Sequence, residues 1–135
     1  MSEPWPGRAA APSLDDFARL AEEAFAALPD LFRRMAGDIV FRVDDFPDEE
    51  VLAALEIEAP FGLTGLYQGV DLARRSVMDL TAEPARVFLY RRPLLDEWAE
   101  RGDVTLAELV THVLVHEIGH HLGLTDEQID RIEAG

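Results

Sequence analysis

The stretch THVLVHEIGHHLGLTD, Thr111 to Asp126, decides how the chain is read. It gathers all four histidines, His112, His116, His120 and His121, into ten residues beside one glutamate and a run of apolar residues. At about 100° per residue, Leu106, Leu109, Val110 and Val113 form one helical stripe, the expected core face. Seven residues further along, Leu109 leads to His116, Val110 to Glu117 and Val113 to His120. The stripe turns ionisable, which costs several kcal/mol unless the groups are paired or bind a metal.

His116 and His120 are four residues apart, so their side chains lie one turn apart on one face and can converge on a single cation. Glu117 lies about 100° around from His116, placed to face a metal-bound water without ligating the metal. This is the H-E-x-x-H pattern. A catalytic zinc site takes three protein ligands and leaves the fourth position to water, so a third ligand is needed. Gly123 follows Leu122 where a left-handed glycine would stop the helix and turn the chain back, and Asp126 stands just beyond it, six residues after His120. Asp130 and Glu133, on the terminal helix, are alternative third ligands. Gly119 is read as sparing space behind the metal. His121 is read as a packing or supporting residue, and His112 as an exposed surface histidine whose spacing also allows an alternative H-x-x-x-H pair with His116.

Composition narrows the chemistry. The 135 residues fit one domain, with residues 1 to 12 a flexible leader and 13 to 135 a single folded unit. The formal net charge is -15, a surface that repels phosphate backbones and anionic membrane. Nucleic acid and membrane are therefore not the expected partners. There is no cysteine, which removes disulfides, thiolate zinc sites and cysteine nucleophiles, so any metal must use His, Asp or Glu. No stretch is apolar for the ~18 residues of a membrane span, and the N-terminus lacks a signal-peptide pattern. The expected location is cytoplasmic.

Local patterns predict an α+β fold. Ser13 and Asp16 form an N-cap signature ahead of a helix over 14–28, and a short helix follows Pro29 until Gly37 closes it. Ile39, Phe41 and Val43 alternate with Val40, Arg42 and Asp44 in a half-buried strand. A short helix is allowed after Pro47. Residues 61–72, with Leu66 and Tyr67 among glycines, suggest an edge strand or irregular arm. Residues 85–93 make the best strand of the chain, expected to be central. After Pro93 a helix runs to Gly102, a long one starts at Thr105 with a Thr105–Glu108 capping box, and a last short one is capped by Thr125.

The motif HEIGHHLGLTD resembles the H-E-x-x-H-x-x-G-x-x-D form of the zincin metallopeptidase signature, the metzincin spacing with Asp in place of the third His. The chain from about Leu14 onward further resembles the minimal zincin-like metallopeptidases, small bacterial proteins, in its FARLAEEAFAALP helix, GLYQG segment, LYRRPL strand end and HEIGHHLGLTDEQI run. The resemblance implies a small mixed β-sheet packed against an active-site helix, with additional N- and C-terminal helices. It also implies Zn2+ held by His116, His120 and Asp126, with Glu117 as general base, acting on a peptide or protein. The chain departs from full metzincins in one respect: Met1, Met35 and Met78 all precede the motif, so no Met-turn after it is expected.

Tyr67 and Tyr90 are candidates for stabilising an oxyanion, each weighed against simple aromatic packing. Arg91 and Arg92 are read either as holders of a substrate carboxylate or as an answer to the acidic surface. The alternatives to a peptidase are a non-catalytic metal-binding or regulatory module, and another zinc amidohydrolase.

Overall fold

Two reciprocal caps open the two helices that carry most of the core. In the computed structural model, which describes residues 11–68 and 85–134, Ser13 Oγ accepts from the Asp16 N–H at 3.1 Å, and the Asp16 carboxylate accepts from the Ser13 N–H at 2.8 Å. This box starts α1, Leu14–Ala26. Thr105 and Glu108 repeat the arrangement at 3.0 Å in each direction and start α5, Leu106–His121. Two backbone donors that the first turn leaves unpaired are satisfied at each cap. Thr105→Ala is therefore expected to cost ~1 kcal/mol of stability, seen as a lower denaturant midpoint with an unchanged slope.

Between these helices come α2, Asp30–Ala36; β1, Ile39–Asp44; α3, Glu49–Ala54; a 3-10 turn, Pro60–Gly62; β2, Gly65–Gln68; β3, Ala85–Tyr90; and α4, Arg91–Arg101. The last helix is α6, Asp126–Ala134. Six helices and three strands among the described residues make the α+β architecture. Two boundaries differ from the sequence reading: α1 stops at Ala26, and β3 passes into helix at Arg91, with Pro93 inside the first turn of α4. Proline is tolerated there because that amide has no intrahelical partner to lose. The predicted arm over 61–72 contains the short strand β2, and its part from Gly69 onward lies outside the described residues, as does the leader up to Ala10.

The sheet order is β1-β3-β2, with β1 parallel and β2 antiparallel to β3. β3, the strand expected from the sequence to be central, is thus the central one. Register then decides which side chains share a face. Tyr67 pairs with Val87, and Tyr90 pairs with Asp44. Val87 and Leu89 are fully buried and join one core cluster with Phe17 and Ala21 of α1 and with Leu109, Val110, Leu114, Val115 and Ile118 of α5. Tyr67 therefore faces α5, and Tyr90 belongs to the opposite face of the sheet.

Candidate metal centre

The turn after α5 is built by Gly123. Its φ of 80° is left-handed, where a Cβ would be penalised. The Leu124 N–H donates to Gly119 O at 2.9 Å and the Gly123 N–H to His120 O at 3.0 Å, the paired bonds of a Schellman stop. Thr125 then caps α6, accepting from the Gln128 N–H at 3.2 Å while Gln128 Oε1 accepts from the Thr125 N–H at 2.9 Å. Asp126 sits at the start of this returning helix. It meets the histidine six residues before it: His120 Nε2 donates to Asp126 Oδ1 at 2.9 Å. That bond, more than any other interaction, holds the Asp126 carboxyl below the ordinary carboxylate range, with the charge of His120 adding to it.

His116, one turn earlier on α5, turns its Nε2 the other way. The atom is buried and has no hydrogen-bond partner. The nearest carboxylate oxygen, Glu133 Oε1 of α6, is 3.6 Å away, while His112 Nδ1 lies 2.8 Å from that same oxygen. The rings of His112 and His116 have centroids 4.2 Å apart, and those of His116 and His120 are 5.7 Å apart. Of the ligand atoms proposed from the sequence, the fold thus brings His120 and Asp126 into direct contact and directs His116 toward Glu133. Among the described residues, the one set of three ligand atoms all within 4.8 Å of one another is His112, His116 and Glu133.

The core stripe also runs differently from its expected course. The buried positions on the second half of α5 are Leu114, Val115, Ile118 and Gly119, while His116 and Glu117 are half-buried and His120 is exposed. The ionisable residues line the boundary of the core. His112, expected to be exposed, is half-buried against Glu133, because α6 packs back along α5. Gly119 frees space for α6: a Cβ there would stand 2.7 Å from Cγ1 of the fully buried Ile129.

Glu117 stands at the boundary between α5 and β2. Burial pushes its carboxyl up, and the charge of His120 and a hydrogen bond from the Tyr67 backbone N–H pull it part of the way back, leaving it raised. The Tyr67 ring packs against the His121 ring at 4.0 Å between centroids, so His121 is a packing partner on this side. Tyr90 is elsewhere, lining a hollow with Asp44, Asp48 and Phe88; burial, then Asp44 and Asp48, raise its hydroxyl to about 12. Of the two tyrosines, only Tyr67 shares the neighbourhood of Glu117. Arg91 donates to the Pro12 carbonyl at 2.6 Å and pairs with Asp45 at 3.1 Å, and Arg92 lies over the Phe46 ring at 5.8 Å. These contacts tie chain segments together, which favours the structural reading of both arginines.

The donors are those a borderline cation such as Zn2+ takes, imidazole nitrogen and carboxylate oxygen. An imidazole nitrogen that is buried without a partner costs stability unless something binds it. On this ground the residues fit a metal. Residues 36–135 match the family of zincin-like metallopeptidases, and the chain belongs to that family. No protein of curated function matches the chain closely enough to count as a relative. Family membership brings a metal, typically zinc, and a peptidase class, in keeping with the donors. Among the described residues no helix is long and apolar enough to cross a membrane.

Proposed function

We propose that the protein is a zinc-dependent peptidase in which His116, His120 and Asp126 hold the ion and Glu117 is the general base. The observation that carries the reading is the His120–Asp126 contact, beside the half-buried Glu117 and one turn from His116, whose buried Nε2 makes no hydrogen bond. When bound, Zn2+ supplies Lewis acidity, polarising a carbonyl and lowering the pKa of water toward about 7.

The residues of the chain supply the rest. Glu117 accepts the proton of the water that attacks the peptide carbonyl and delivers it to the departing amine, so the products are a carboxylic acid and a free amine. Its raised carboxyl suits this work, because a base is most effective when its pKa lies near the operating pH. Among the described residues β2 is an edge strand beside Glu117, a template on which an extended peptide can add as a further strand. β3, between β1 and β2, has both sides taken. The Tyr67 phenol is the candidate donor to the developing oxyanion. The substrates are peptides or proteins, and the proposed location is the cytoplasm.

The competing reading, a module that uses zinc only for structure, predicts unfolding on chelation. The apolar cluster of α1, β3 and α5 contains no metal ligand, so the peptidase reading predicts that the chelated protein keeps its circular dichroism and its cooperative melt. Asp126→Ala is expected to stay folded and lose more zinc affinity than the roughly 10- to 100-fold typical of residues that only orient a ligand. Metal analysis after dialysis against a graded chelator checks this. Unchanged zinc affinity on Asp126→Ala, compared with Glu133→Gln present in both proteins so that Glu133 cannot hold the ion instead, removes Asp126 from the ligand set.

A further inference from the structure

The proposed catalytic set leaves His112 and Glu133 without a role, yet these two side chains enclose the free nitrogen of His116. Glu133 Oε1 is 2.8 Å from His112 Nδ1 and 3.6 Å from His116 Nε2, and its side chain is only 24% exposed. All three ligand atoms lie within 4.8 Å of one another. We infer that His112, His116 and Glu133 form a second cation position, which takes Zn2+ or a similar divalent ion and competes with the first for His116.

The chemistry of the donors supports this choice. Two imidazoles four residues apart on one helix, with a carboxylate brought by a second helix, make a three-ligand set of the kind zinc uses. His116 Nε2 is buried and makes no hydrogen bond, and a nitrogen with one lone pair binds one ion at a time. An ion held by His112, His116 and Glu133 therefore leaves His120 and Asp126 one ligand short. Glu117 is not among the donors of this second position, and it lies about 140° around the helix from His112. His112 and Glu133 also line a surface hollow of about 380 Å³, together with Arg101, Glu108 and Thr111. An ion can reach this position from that side. The chain thus has two metal-bound forms, of which one lacks the ligands placed beside the general base.

The inference shares His116 with the proposed peptidase site but does not depend on peptide cleavage, because its test reads metal stoichiometry. The metal-free double variant His120→Ala/Asp126→Ala would be titrated with Zn2+ and with Co2+, following stoichiometry by native mass spectrometry and the visible Co2+ spectrum. It is expected to bind one ion per chain. Adding Glu133→Gln to that background, which keeps the shape of the side chain, should weaken binding at least about tenfold, the lower end of what loss of even an outer partner costs. His112→Ala in the same background should do the same, with circular dichroism verifying that each variant is folded. If the folded double variant binds no ion, or if Glu133→Gln and His112→Ala leave its affinity unchanged, the second position does not exist. If cleavage fails in the wild-type chain but the double variant still binds one ion through Glu133, the peptidase reading falls and this one stands.

Discussion

Glu117→Gln is expected to bind zinc as the wild-type protein does and to lose peptide cleavage by roughly 10²- to 10⁴-fold in kcat, the usual contribution of a positioned proton acceptor. The substitution changes little besides the proton chemistry. Glutamine has the same shape, its amide oxygen can still accept from the Tyr67 N–H, and residue 117 is not one of the proposed ligands. What it loses is the ability to take a proton from water. Burial already raises the Glu117 carboxyl, so removing the charge at this position releases a desolvation cost, and the variant should be no less stable than wild type. Parallel assays of zinc content, melting and cleavage separate the three effects. A variant that loses its zinc would mean that Glu117 is itself a ligand.

The second large effect concerns the packing that brings α6 to the site. Ile129 is fully buried against Gly119, and it lies between Asp126 and Glu133 on the same helix. Ile129→Ala is expected to cost ~2–5 kcal/mol and to weaken zinc binding, because Asp126 then loses its fixed approach to His120. Gly119→Ala sets two terms against each other. Alanine gains about 1 kcal/mol in helix propensity over glycine, but its Cβ would stand 2.7 and 2.9 Å from two atoms of a side chain with no free space, and overpacking costs ~1–3 kcal/mol. The net expectation is a loss in the wild-type background. In the Ile129→Ala background the same change should become stabilising, since the new methyl enters space that the isoleucine has left and the helix gain remains. Urea unfolding of the four proteins of this cycle measures the coupling. Additive effects would show that Gly119 and Ile129 do not share the space.

Much of this arrangement was legible in local sequence. Ser13 with Asp16 and Thr105 with Glu108 announce their helices through spacing alone, because each cap bond spans three residues. Gly123 announces the stop, and the six-residue step from His120 to Asp126 proves to be a 2.9 Å contact. What spacing could not show depends on contacts between elements. The parallel pairing of β1 with β3 sets the faces of the sheet, and with them the separation of Tyr90 from α5. The approach of Glu133 to His112 and His116 follows from α6 folding back onto α5 through Ile129, so a histidine read from helical phase as exposed is half-buried. Glu133 itself was visible as a carboxylate on the last helix, but nothing in the chain order tells which histidine it would meet. The extension of the apolar stripe through Leu114, Val115 and Ile118, leaving the ionisable residues along its edge, is likewise a result of where β3 and α6 press on α5.

The most direct test is to load the chain with one equivalent of Zn2+, incubate it with a degenerate peptide library, and read new amino termini by mass spectrometry. The peptidase assignment predicts cleavage that stops on chelation, returns with zinc, and is lost in Glu117→Gln at equal zinc content. A folded, zinc-loaded wild-type chain that produces no new termini would contradict it, and so would a Glu117→Gln protein that cleaves as fast as wild type.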